Sequence, residues 1–345
     1  MSSNHPHEDD GVDPFRERGS PAFSRAQDIL GGRFRFDSAS EALLALVDEA
    51  YAGLPAQRLP DAGGAFRVEL RLAPAQARPY ADEPPRVRTE SGAGLLCGVI
   101  DASNYVVIAP EQHWALVVVS EDMLAYPYHV RYELIEFAVF VLAARGMGLV
   151  PLHGACVGDE GRGVLLLGAS GAGKSTLALG ALCDGLDFLA EDAVFVDPRS
   201  LRMLGVGNFV HVKHDSLRFI DDAASRRWIE EAPTIRRRSG VAKFEADLRK
   251  APLPVSTAAL HLAAVVFVSA EQSVDADDLL EVVAGDAVPA LLAADQPYAS
   301  GQPGWPAFVA RASALGVYRL RRGRHPRDAV DALRGLLEAT RLANA

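Results

Sequence analysis

Gly163-Val164-Leu165-Leu166-Leu167-Gly168-Ala169-Ser170-Gly171-Ala172-Gly173-Lys174-Ser175-Thr176 passes from an aliphatic block through a glycine-rich turn into a helix-forming run. Residues 168–175 satisfy the pattern G-x-x-x-x-G-K-[ST] at every fixed position. The aliphatic block predicts a buried strand, and Ser175 to Leu182 predicts a helix. In that context successive backbone N–H groups and the positive end of a helix dipole converge on one point, where an anion is favoured. Glycines let the backbone approach phosphate oxygens without Cβ clashes, Lys174 reaches the outer phosphates as a point charge, and the Ser175 hydroxyl suits Mg²⁺. The nucleotide-binding residues expected from this are Gly168, Ser170, Gly171, Ala172, Gly173, Lys174, Ser175 and Thr176, with ATP and Mg²⁺ as cofactors.

A phosphate loop does not by itself name a reaction. A GTPase needs an N-K-x-D guanine reader, and the chain contains none. A transporter ATPase needs a second apolar strand ending in Asp-Glu, whereas the strand-like run Leu260 to Val268 ends in Ser269. One helix beyond the loop, Leu189-Ala190-Glu191-Asp192 places adjacent carboxylates at a strand end. One acid can hold Mg²⁺ beside Ser175, for which Asp192 is the expected ligand, and the other can accept a proton from an attacking hydroxyl. His153, just upstream of the loop, is a further candidate.

The run His153-Gly154-Ala155, the loop through Thr176, Gly185 and Leu189-Ala190-Glu191-Asp192 resembles the HPr kinase/phosphorylase family over residues 152–196, in order and spacing. The resemblance implies an α/β phosphate-loop (P-loop) kinase domain of the HPr kinase and phosphoenolpyruvate-carboxykinase-like type. It also implies transfer of the ATP γ-phosphate to a serine-type hydroxyl of a protein or peptide. By the same resemblance the catalytic residues are Asp192, Glu191, His153 and Lys174, and Lys213 is a phosphate contact. The family's acid pair is usually Asp-Asp, and Glu191 departs from it. The glycine-rich signature that accompanies dephosphorylation is also missing, so kinase without phosphorylase activity is expected. Arg237, within Arg236-Arg237-Arg238, is a further candidate for phosphate or substrate contact. Two other readings stay open: a nucleotide-binding regulatory protein with little or no hydrolysis, and a kinase of small-molecule hydroxyls.

Outward from the loop, Gly158 to Gly161 predicts a hairpin turn between strands Leu152 to Val157 and Gly163 to Leu167. Further strands are expected at Asp187 to Leu189, Ala193 to Val196, Phe209 to Val212, Leu260 to Val268 and Gly316 to Leu320. A last helix opens at Pro326, and Arg319, Arg321, Arg322 and Arg324 before it are expected as a solvated basic turn, with a nucleotide- or peptide-facing edge as the alternative. Toward the N-terminus, Ser40 caps an expected helix to Ala50. Alternation at Phe66, Val68, Leu70 and Leu72, with apolar runs at 95–100, 105–108 and 114–119, predicts an antiparallel sheet. Tyr132 to Ala144 predicts a helix ending near Gly146 and Gly148. The division expected is a disordered tail over 1–27, a smaller α+β domain over 28–148, and the kinase domain over 149–345.

At 345 residues the chain is long for one domain, at about 150 residues each. Its formal charge of −10 disfavours nucleic acid and acidic membranes as partners. No run approaches the ~18 apolar residues of a membrane helix, so no membrane span is expected. Cys97, Cys156 and Cys183 are scattered, a poor disulfide or zinc framework, which points to a reducing, cytoplasmic setting. The N-terminal acids lack the pattern of a secretory signal. A homo-oligomer is compatible with the family resemblance.

Overall fold

The computed structural model describes residues 21–59, 64–273 and 279–342 and shows a mixed α/β chain built on two large sheets and one small one. The first sheet contains β1 (Phe23–Ile29), β2 (Gly32–Ser38), β3 (Ala65–Ala73), β4 (Arg88–Gly92), β5 (Leu95–Val99), β6 (Tyr105–Ala109) and β7 (Trp114–Ser120). Their order in space is β1-β2-β3-β7-β6-β5-β4. The expected antiparallel sheet holds for β4 to β7, but β2, β3 and β7 run parallel to one another. The helix Glu41–Tyr51 causes part of this, because it carries the chain back over the sheet between β2 and β3, a crossover that makes neighbours parallel. Alternating hydrophobicity reports which face a residue takes and is silent on strand direction.

Two boundaries also move. The expected tail reached residue 27, yet β1 pairs with β2 from Phe23 onward; residues 1–20 lie outside the described residues. The Ser40 side chain makes no cap bond; instead Ser38 Oγ accepts from the Ser40 N–H and donates to Leu70 O. The helix expected from Tyr132 begins at Pro127 and runs to Gly146, with π-helical turns at Val130–Ile135 and Leu142–Gly146. Such turns insert a residue per turn and re-aim the side chains that follow.

The second sheet takes β8 (Val150–His153), β9 (Ala155–Asp159), β10 (Arg162–Leu167), β11 (Asp187–Ala190), β12 (Ala193–Val196) and β13 (Arg202–Gly205). Next come β14 (Phe209–Val212), β15 (Thr234–Arg236) and β16 (Ala242–Asp247), a small sheet in the order β14-β16-β15. Finally β17 (Leu260–Gln272), β18 (Leu280–Val282) and β19 (Val317–Arg322) complete the large sheet. Strands β10, β17 and β19 are mutually parallel, with β17 in the middle. The expected strand 152–157 is broken at Gly154: β8 pairs with β12, while β9 turns to pair with β10 and β11. Only glycine fits the break, since a Cβ on Gly154 would lie 2.7 Å from Leu166 O.

The halves meeting near 146–150 share packing. Phe195 and Leu204 of the second sheet join the core of the first, and Phe140 of the long helix meets Phe195 edge-on at 4.8 Å between ring centres. Gln57, almost wholly buried, stitches them: its Nε2 donates to Gly205 O and Thr257 O at 3.0 and 2.8 Å, and its Oε1 accepts from Gly205 N at 3.0 Å. Gln57→Ala leaves those backbone groups buried and unpaired and is expected to cost about 2–3 kcal/mol of stability. Urea unfolding at neutral pH measures it, and a cost below about 0.5 kcal/mol would show that the stitch is dispensable.

Candidate functional site

Ligands of open α/β sheets gather beyond the carboxyl ends of parallel strands. Here the ends of β10, β17 and β19 deliver the glycine-rich loop, Ser269 and Arg321 to His325 to one cleft of 540 Å³. Gly168 has φ +125°, and a Cβ there would strike Val268 O at 2.5 Å, so strand packing alone demands glycine. Gly171 and Gly173 have φ of +84° and +114° with no atom near a would-be Cβ, which suits a backbone that must admit a ligand. The helix Lys174–Cys183 starts from Gly173 without a side-chain cap. Its first N–H groups are therefore offered to the cleft, as in an anion site.

Lys174 is only 7% exposed and folds back so that Nζ donates to the carbonyls of Gly168 and Ala169. Burial draws its pKa down, against Asp295 and Asp192. Arg322 donates to Gly171 O and Ala172 O, both at 3.1 Å, and so braces the loop from β19. This corrects the reading of the preceding arginines as a solvated turn: Arg322 holds the loop and Arg321 pairs with Glu281 at 2.7 Å. Thr176 Oγ1 lies 3.1 Å from Ser216 Oγ, and Ser170 and Ser175 line the same cleft.

The adjacent acids take different environments. Asp192, half-exposed, lies between Arg237 Nη2 at 2.6 Å from Oδ2 and His153 Nδ1 at 3.3 Å from Oδ1. Burial opposes its charge, but Arg237 and His153 outweigh it and hold the carboxyl below its usual range. His153 Nδ1 also lies 3.1 Å from the Asp192 carbonyl, and a carbonyl can only accept. The proton of the neutral ring is thus on Nδ1, leaving the Nε2 lone pair of a residue that lines the cleft. Glu191 is buried, its Oε1 accepting from the backbone N and Nδ1 of His211 at 2.9 and 2.6 Å. His211 Nε2 lies 3.4 Å from Glu245 Oε1, and Glu245 Oε2 accepts from Arg131 Nη2 at 2.6 Å. Glu191 is therefore the end of a buried chain of charges reaching into the N-terminal half. Beyond it a cavity of 110 Å³ is lined by Arg131, Tyr132 and Glu136 together with both acids. Burial, with Asp192 nearby, pushes the Glu136 carboxyl up to about 8.

Lys213, exposed, and Lys243 line the cleft. Arg237, expected in a solvated loop or a phosphate contact, follows β15 and also donates from Nη1 to Tyr128 Oη at 3.1 Å. Sequence reasoning missed Tyr128 and the pair Asp295-Gln296. Buried Gln296 accepts from His153 N at 2.7 Å and donates to His153 O at 2.9 Å and Asp295 Oδ2 at 2.7 Å. Asp295 Oδ2 lies 3.4 Å from Gly168 N, so this dipeptide sets His153 against the start of the loop. A separation of 143 residues leaves no sequence signal for that contact.

Among the described residues no group of three or more His, Cys, Asp or Glu side chains is arranged to hold a metal ion. Mg²⁺ bound with a nucleotide takes most of its ligands from phosphates and water, and a hydroxyl with one carboxylate is a sufficient protein share. Ser175 and Asp192 fit that donor set. Among the described residues no helix is long and apolar enough to cross a membrane. A scan against protein-family models gives no match, and neither does a search of curated proteins.

The carboxylates on either side of His211 outweigh burial and raise its pKa above the ordinary value. A raised folded pKa contributes stability in full below about pH 6.5, and that contribution is lost as pH rises through the raised value. His211→Gln should therefore be most costly relative to wild type at about pH 5.5, with the gap narrowing toward about pH 9. Unfolding free energies at both ends test this; a gap independent of pH would exclude the charged imidazolium.

Proposed function

We propose that the protein is an ATP- and Mg²⁺-dependent P-loop kinase that transfers the γ-phosphate to a serine-type hydroxyl of a protein or peptide. The observation that carries this reading is the convergence, on one cleft of 540 Å³, of the glycine-rich loop with Lys174 and of the linked trio His153, Asp192 and Arg237. A volume of this order suits a nucleotide, for which pockets of about 300–1,000 Å³ are usual. Lys174, Lys213, Arg218, Arg237, Lys243, Arg321, Arg322 and Arg324 line the cleft against Glu191, Asp192 and Asp215. A chain of net −10 thus focuses positive charge where a polyphosphate would lie.

In this reading the loop amides and Lys174 bind the β- and γ-phosphates, and Ser175 and Asp192 hold Mg²⁺, which when bound neutralises charge developing on the phosphate oxygens. The acceptor oxygen forms a bond to the γ-phosphorus as the bond from that phosphorus to the β–γ bridging oxygen breaks. ADP leaves with the bridging electrons. The hydroxyl proton passes to His153 Nε2, the nitrogen left free by the Nδ1 contacts. Asp192, held anionic by Arg237, orients that ring and carries the metal. This differs from the sequence expectation, which gave proton transfer to the acid pair: here Glu191 Oε1 is held by His211 and Asp192 Oδ2 by Arg237, while His153 presents a free ring nitrogen.

Transfer of labelled γ-phosphate to candidate seryl peptides, carrier proteins, free serine and water tests the proposal. Asp192→Asn and His153→Gln should each lower turnover about 100-fold or more, the scale of lost acid–base or electrostatic groups, while ATP affinity changes little for His153→Gln. Unchanged turnover in either would remove that residue from the mechanism. Binding of ATP with no cleavage by wild type would favour a regulatory nucleotide-binding role, and preference for free serine would favour a small-molecule kinase.

A further inference from the structure

We infer that the N-terminal half is a working part of the active site, with Tyr128 as a positioning residue for Asp192; the inference rests on the kinase reading above. Tyr128 lies on the first turn of the long helix, and its hydroxyl oxygen accepts from Nη1 of Arg237, 109 residues away, at 3.1 Å. The other terminal nitrogen of the same guanidinium donates to Asp192 Oδ2 at 2.6 Å. A guanidinium is a rigid planar fork, so anchoring one prong fixes the direction of the other. Asp192 in turn contacts His153, and a line of polar contacts runs Tyr128, Arg237, Asp192, His153 across both halves.

The helix grips this segment at two further points beyond the tyrosine contact. Arg238, next to Arg237, makes a two-pronged pair with Glu133 at 2.6 Å for each bond. Arg131 pairs with Glu245 at 2.6 Å, on β16, the strand that pairs with β15 ahead of Arg237. Arg131 and Glu133 both lie on the helix that begins at Pro127 and carries Tyr128 in its first turn. Arg237 therefore reaches Asp192 from a strand turn whose place is set by N-terminal residues. Without the Tyr128 oxygen, Nη1 loses an acceptor in a half-buried setting, and the guanidinium can swing out of register with the carboxylate. The phenyl ring meanwhile keeps its packing on Tyr132, at 4.7 Å between ring centres.

The test is a double-substitution cycle in the full chain: wild type, Tyr128→Phe, Arg237→Gln and both together. Single-turnover transfer of the ATP γ-phosphate, with Mg²⁺ and the acceptor that wild type phosphorylates best among those tested above, is followed along with ATP affinity by calorimetry and the unfolding midpoint. Tyr128→Phe is expected to slow transfer about 10-fold, as loss of a hydrogen bond to a charged group does, with ATP affinity within about 2-fold of wild type because the loop is untouched. The double variant should be no slower than Arg237→Gln alone. A merely structural tyrosine would lower the midpoint and multiply independently with Arg237→Gln, and that result, or wild-type transfer by Tyr128→Phe, overturns the inference. Wild type that binds ATP and transfers its γ-phosphate to none of the seryl peptides, carrier proteins, free serine or water overturns the kinase reading, and this inference with it.

Discussion

Four ionisable side chains, Arg131, Glu245, His211 and Glu191, lie almost wholly buried in a row where the two halves of the chain meet. An ion here would be costly to bury alone, and the row is tolerable because acids and bases alternate along it and hydrogen-bond to one another. The row therefore constrains everything attached to it. It fixes the helical turn bearing Arg131, the pairing of β14 with β16 through His211 and Glu245, and the end of β11, which precedes Glu191. Asp192 is the next residue, so its place beside the glycine-rich loop depends on charges reaching from the other half of the molecule.

Polar contacts of the cleft repeat that division of labour. The loop is shaped by backbone demands, with Gly168 packed against Val268 and Arg322 bracing its carbonyls. The acid–histidine side is shaped by long-range side-chain bonds, from Gln296 to the His153 backbone and from Arg237 to Asp192. A phosphate-transfer site needs both parts, a preformed anion cradle and correctly aimed proton and metal groups. On the proposed reading, the cradle is one short segment braced from Val268 and Arg322, whereas the proton and metal side is assembled from side chains on segments far apart in sequence.

That difference explains what could be read in advance. Strand, turn and helix around 163–183 follow from the aliphatic block, the glycines and the helix-forming run after them, and they appear as expected. Local patterns also placed β6, β7, β12 and the last helix within a residue or so. Strand direction in the first sheet was not legible, because a strand's alternation is the same whichever way its neighbour runs. The break at Gly154 was equally hidden: the apolar run is continuous, and only the neighbouring Leu166 backbone forces the chain to switch partners there. The π-helical turns extend a helix whose 3.6-residue pattern marks its middle but neither its start nor its widened turns.

By itself the sequence determined the glycine-rich loop with its lysine and hydroxyl, the mixed α/β character, and the presence of His153, Glu191 and Asp192 near that loop. Each of these depends on residues close together along the chain, where backbone geometry and side-chain period act directly. Only the tertiary structure decided that adjacent Glu191 and Asp192 face different partners, that Arg237 belongs with Asp192, and that Tyr128 stands behind Arg237. Such pairings are settled by which buried charges can be neutralised once the halves are packed, a condition that no local pattern encodes.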